Sequence, residues 1–220
     1  MTDDVLTRPL ALVVALAIVS LLPFVFMSVT AFVKISTVLQ IVRSAIGAQS
    51  VPSNTVVMAL AAALTLLAMA PVGSRIAARA APLLDGKERD TVTLIREGID
   101  AVREPLREFL SKNASAREKA RFLTIARDAR AGADRDAVTD ADLPVLVPSF
   151  VVTELGEAFA VGFLIYLPFL IVDLVVGNIL LALGMQMLSP TQVSLPFKLL
   201  LFVAIDGWGL LSQALVAGYR

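Results

Sequence analysis

The chain has 220 residues, 57% of them apolar, and a mean hydropathy of +0.81, which is too apolar for a soluble core alone and calls for a second apolar solvent. Its 19 Lys/Arg balance 19 Asp/Glu, so nothing in the net charge suits a nucleic-acid partner. Absence of Cys and His removes disulfides, Cys/His metal sites, thiol nucleophiles and imidazole bases, and no metal or cofactor is implied.

The charge is unevenly spread. Between Arg75 and Glu157 lie 14 Lys/Arg and 15 Asp/Glu, leaving five and four for the rest. Two hydrophobic blocks therefore frame a polar one. The division is into 1–74, a hydrophobic helical half; 75–147, a polar helical insertion; and 148–220, a second hydrophobic half.

The first segment, PLALVVALAIVSLLPFVFMSVTAFV, is 25 uncharged residues between Arg8 and Lys34. That length crosses a bilayer as a helix, since about 20 residues at roughly 1.5 Å each suffice. The acidic start MTDDVLTR does not resemble a signal peptide, so a retained helix is expected, kinked at Pro23. Beyond it Ile35, Val38, Leu39, Val42 and Ile46 recur at helical spacing and continue that helix until Gly47 and Pro52 break it. A second apolar run spans Val51 to Val72.

In the polar block Val92, Ile95, Ile99, Val102, Leu106 and Phe109 form a narrow stripe suited to packing on a neighbouring helix, with a coiled-coil seam as the alternative. Asp90 is a candidate N-cap, and Pro105 should bend or divide the helix. The sequence SARE, Ser115 to Glu118, matches a capping box, and AGADRDAVTDADLP reads as a loop. The last two hydrophobic segments are Phe150 to Met187, broken by Pro168, and Leu195 to Val216, interrupted by Asp206. The fold class is all-α: four hydrophobic segments of membrane-hairpin type flank one polar helical insertion. Lys34, Arg43 and Lys198 in the short links place those links in the cytoplasm, and the termini and polar block on the other side.

A carboxylate among lipid-facing residues costs several kcal/mol unless paired, so Asp173 predicts a partner, and Lys198 is the base that a hairpin would bring to it. That contact could form within one subunit or across a boundary. Glu154 and Asp206 pose the same problem. A structural ion-pair seam is favoured over a proton or ion path, and Asn178 and Gln186 suit interhelical hydrogen bonds. The stretch GMQMLSP, with Gly184 and Pro190, reads as a turn. Met185 and Met187, two apart, do not share one face of a helix; alone they read as ordinary core filling, with a deformable constriction as the alternative.

These features together resemble the SctR/FliP family of the bacterial type III secretion export apparatus. The residues carrying the likeness are YLPFLIVDLVVGNILLALGMQMLSPTQVSLPFKLLLFVAIDGW, the preceding PSFVVTELGEAFAVGFLIYLP, and FVKISTVLQIVRSAIGAQSVPSNTVVMALAAALTLLAMAPV in the first half. The resemblance implies a non-enzymatic inner-membrane subunit that forms a pentamer with SctS-type and SctT-type partners. That funnel admits unfolded secreted proteins, and much of it stands on the periplasmic side, so its hydrophobic segments need not span lipid once assembled. It also implies that Met185, Gln186 and Met187 lie in a pore-narrowing gasket, where relatives often carry methionine at the middle position. Glu154, Asp173 and Lys198 fall on buried charged positions, and Asp206 is grouped with them as an assembly residue. FVKIS departs from the usual serine-phenylalanine-threonine version. The start, lacking the leader common in flagellar members, favours the virulence branch over a flagellar paralogue. A proton-coupled carrier using Asp173 and Asp206 is a weaker rival, with few segments and no visible inverted repeat. No nucleotide-binding glycine loop is present to supply energy.

Overall fold

A computed structural model describes residues 3–47, 52–84 and 91–219, and among them the ordered elements are all helical. They are α1 (Asp3–Val29), α2 (Phe32–Ile46), α3 (Asn54–Ala80), α4 (Thr91–Asn113), α5 (Ala116–Asp128), α6 (Ala133–Asp136), α7 (Leu143–Ala182), α8 (Pro190–Ala204) and α9 (Gly207–Ala217), with a 3-10 turn at Ala81–Leu84. Two helices, Asn54–Leu83 with its 3-10 end and Leu143–Ala182, are long and apolar enough to cross a membrane; α1/α2 and α8/α9 qualify as bent pairs, giving up to four. The chain is a helical membrane protein.

The centre is α2. Ile35, Val38, Leu39 and Val42 are fully buried at helical spacing, and Ala45 and Ile46 nearly so. This stripe packs along α7, which also receives α4, α5 and α8. The approach is close where α7 offers a glycine: a Cβ on Gly162 would lie 2.5 Å from Cδ1 and 2.9 Å from Cγ2 of Ile41. One core joins α2, α3, α4 and α7, with Phe109 and Leu110 of the polar insertion inside it. Helices α3 and α7 run unbroken across the sequence-based boundaries at 74 and 147.

The helix breaks do not fall at Pro23, Pro105 or Pro168. Helix α1 continues through Pro23, and the corner comes at Thr30–Ala31, where the axis turns 75°. Thr30 stabilises it by donating to the Phe26 carbonyl at 2.7 Å and accepting from the Phe32 N–H at 3.3 Å, while Ala31 is fully buried. The corner is thus fixed by capping and burial, whereas around Pro23 α1 is exposed and nothing draws it aside. Helix α7 runs through Pro148 and Pro168, and α4 through Pro105. A proline removes one helical bond, and packing along the rest of the rod outweighs that loss.

Ser115 caps α5, accepting from the Glu118 N–H at 3.2 Å. The return arm of the expected box is absent: the Ser115 N–H donates to Thr153 Oγ1 on α7 at 3.0 Å, and Glu118 binds Arg121 at 2.9 Å. Tertiary contact has replaced the local one. Of the α4 stripe, Phe109 is buried and Leu106 partly so, while Ile99 and Val102 are 58% and 41% exposed. The expected loop before α7 holds the one-turn helix α6, and Asp90 lies outside the described residues.

Two tests follow from these contacts. Gly162→Val should lower stability by about 1–3 kcal/mol through overpacking, seen as a lower Tm in detergent, and Ile41→Ala should recover part of the loss. Before α7, the Thr139 N–H donates to Asp142 Oδ2 at 2.9 Å and holds that carboxyl below its ordinary value of 3.8. A depressed carboxylate stabilises the fold above its unfolded pKa and loses that contribution as pH falls through the folded one. Asp142→Asn should therefore flatten the acid limb of a Tm-against-pH curve below pH 3.8 and leave neutral pH less affected.

Candidate functional site

The candidate site is the α7–α8 hairpin tip and the charges that fix its stem. Helix α7 ends in a left-handed Gly184, φ +70°, with the Gly184 N–H on the Leu181 carbonyl at 3.0 Å and the Met185 N–H on Leu180 at 2.9 Å. These two bonds are a Schellman stop, and the positive φ at its C′ position suits glycine. A turn closed by the Leu188 N–H on Met185 follows, and Pro190 opens α8 as its first residue. Pro190 then rests on α7, its Cβ 3.7 Å from where a Cβ of Gly177 would stand. The tip is bare: Met185 is 48% and Met187 99% exposed, and Gln186 is exposed between them.

Below the tip, Lys198 of α8 reaches across to Asp173 of α7, Nζ to Oδ2 at 2.6 Å, and donates to the Ala45 carbonyl at 3.1 Å. Lys198 is 2% exposed, and Ser194, one turn earlier, donates to the other Asp173 oxygen. Ala45 lies in the last turn of α2, whose carbonyls lack helical partners and carry the negative end of the helix dipole. Gly47 ends α2 at φ +80°, and a Cβ there would lie 3.9 Å from Nζ. One ammonium thus joins three helices within a single chain.

The other end of α2 has a matching knot. Lys34 in its first turn bonds Glu154 at 3.3 Å and Glu157 at 2.6 Å, both on α7 one turn apart. Glu154 is 1% exposed and accepts a hydrogen bond from Tyr219, whose ring lies 4.7 Å under Lys34 Nζ and stacks on Phe109. Burial, and after it the charge of Glu154, push the Tyr219 phenol above its ordinary 10.0, so it stays a donor. Glu157 keeps contact with water, which hydrates the surplus negative charge.

Asp206 and Asn178 lie apart. Asp206 is exposed at the α8/α9 elbow, in left-handed conformation at φ 52°, and among the described residues no cation binds it. Its carboxylate sits over Gly209, whose added Cβ would meet Oδ2 at 2.3 Å, so it shapes the elbow instead of joining the charged seam. Asn178 is exposed on α7.

The FliP family model matches residues 15–215, nearly the whole chain. The chain belongs to the FliP family. It is 43% identical over 210 residues to the hypersensitivity response secretion protein HrcR of Ralstonia nicotianae, covering 96% of this chain and 97% of that one. Its identity to Yop proteins translocation protein R of Yersinia pestis is 39% over 208 residues, covering 94% and 95%. Against the flagellar biosynthetic protein FliP of Bacillus subtilis it is 38% over 209 residues, covering 94% and 90%.

In this FliP-family chain the sequence reading did not anticipate the Lys34–Glu154–Tyr219 knot or the Ala45 carbonyl. Lys34, the base of an apolar stretch that holds no acid, was the available signal; for Ala45 the signal was Gly47, which marks carbonyls in need of a cation.

Lys198→Ala strands Asp173 and a helix-end carbonyl and should cost about 3–5 kcal/mol, read as a lower Tm and yield in detergent. The double replacement Lys198→Met with Asp173→Leu should lose less than the summed single effects, and strict additivity would remove the coupling.

Proposed function

We propose that this chain is a core subunit of a type III secretion export apparatus of the virulence type, set in a bacterial inner membrane. Copies of it, together with SctS-type and SctT-type subunits, assemble into an entrance channel for unfolded proteins. The resemblance implies five copies and a position largely on the periplasmic side. The relatives named for secretion and translocation, alike along almost their full length, support the apparatus; the flagellar relative is similar over a comparable length.

The observation that carries the channel reading is the hairpin tip. Two methionines stand bare on a short glycine-hinged turn, while the stem beneath is locked by buried charge. A ring of such tips would narrow a conduit with unbranched, polarisable side chains that deform around whatever passes. Gln186 adds a polar group to that seal. The chain acts as a passive wall, without catalysis or a cofactor, and the energy for transport enters elsewhere.

On this reading Lys198, Asp173, Glu154 and Lys34 serve assembly by fixing the hairpin's angle. Asp206 would set the α8/α9 elbow against neighbours, and Asn178, exposed on α7, would hydrogen-bond across a subunit boundary. With Asp173 occupied by Lys198 and Ser194 and Asp206 exposed at the elbow, a two-carboxylate proton relay has less support.

Replacing Met185 and Met187 together by alanine should raise ion leakage through the reconstituted complex several-fold, without lowering its yield. Unchanged conductance in planar bilayers would refute the constriction.

A further inference from the structure

Outside the hairpin, a groove of about 770 Å3 opens between the end of α1, the exposed half of α4 and the start of α7. Its volume is in the usual range of ligand sites, roughly 300–1,000 Å3. Val25, Val29, Ile99, Val102, Leu143 and Val147 supply apolar walls. The charged side chain on the lining is Arg103, which is exposed and, among the described residues, makes no ion pair or hydrogen bond. Its neighbour Glu104 is turned to Arg107 at 3.6 Å.

We propose that this groove is a binding site for a phospholipid of net negative charge, with an acyl chain in the cleft and the phosphate on Arg103. Continuity and charge select that occupant. On one side the groove runs into the bare surface of α1, where Leu22 and Phe24 are 57% and 67% exposed, so a bilayer chain enters without crossing a polar barrier. On the other it meets the charged insertion, so Arg103 stands where apolar surface gives way to polar, the setting in which arginine side chains reach for headgroups. Lipid tails gain little by leaving other tails, so selectivity rests on the guanidinium, whose planar donors match phosphate oxygens. An apolar helix from a second copy would fill the cleft but leave Arg103 facing no anion.

Gly98 gives a clean test. An added Cβ there meets nothing within 4 Å, and a larger residue in mid-helix favours helix formation. Gly98→Trp should therefore plug the cleft and keep the fold. The full chain, purified in micelles containing phosphatidylglycerol with a diazirine in its acyl chain, is irradiated and its labelled peptides are mapped. Label is expected in α4 between residues 94 and 106, at least ten-fold less in Gly98→Trp at unchanged Tm. Unlabelled phosphatidylglycerol should compete several-fold better than phosphatidylcholine, and Arg103→Gln should erase that difference. Labelling of α4 that is indifferent to Gly98→Trp overturns the site, as does a copy-to-copy cross-link through α4 with no lipid adduct. Leakage through the hairpin pore is a separate readout, so either reading can fail alone.

Discussion

Two dehydrated ammonium groups hold α2 against α7, and the rest of the chain is arranged around that clamp. Lys34 fixes the first turn of α2 to Glu154 and Glu157, while Lys198 ties its last turn to Asp173 and α8. Neither contact resembles a surface salt bridge, which contributes about 0–1 kcal/mol. At Lys198, which has left water, removing Asp173 would leave the ammonium without counter-charge; at Lys34 two acids share the task, and the buried Glu154 is the one that depends on it. Apolar packing supplies adhesion along α2; the ion pairs fix its direction and register. Shifting α2 by one residue along α7 would rotate Ile35, Val38 and Val42 out of the core and separate both clamps.

The clamp also divides rigid from deformable structure. Asp173 and Ser194 brace the stem of the α7–α8 hairpin, about 14 Å along the helix from its end. Above them Gly177 and Pro190 bring the two helices together, and beyond Gly184 the chain is a bare turn. The stem is therefore held while the methionine side chains keep their rotamer freedom. Asp206 performs the parallel task at the α8/α9 elbow, where the axis turns 58° and Phe202 meets Trp208 edge-on at 5.1 Å.

Much of this was legible in the sequence. Composition and charge segregation indicated a helical membrane protein with a polar insertion, and the isolation of Asp173 and Lys198 pointed to their meeting. GMQMLSP read as a turn because glycine and proline act locally. What stayed hidden was decided by long-range contact: Thr153 displaced half of the Ser115 box, and Tyr219 reached Glu154 from 65 residues away. Where the helices end was hidden for the same reason. Pro23, Pro105 and Pro168 each remove one helical bond, a local signal, whereas whether a rod breaks depends on what grips it on either side. Asp206 misled because an acid in an apolar run suggests a buried partner, and a corner residue facing outward satisfies the same composition.

Helix α7 has 40 residues, which at about 1.5 Å each makes a rod of roughly 60 Å, twice the usual hydrocarbon thickness of about 30 Å. Its most apolar stretch is only 11% buried within the chain. The first part of the helix, as far as Glu157, is covered by α4 and α5 and carries charge, so the chain's own insertion takes up the excess length. The remaining 25 residues, Ala158 to Ala182, make about 38 Å, which a tilt of roughly 40° fits to a bilayer. One continuous helix therefore does two jobs: its first part is scaffold for a polar domain, and its last part is the bare apolar rod that ends in the methionine turn.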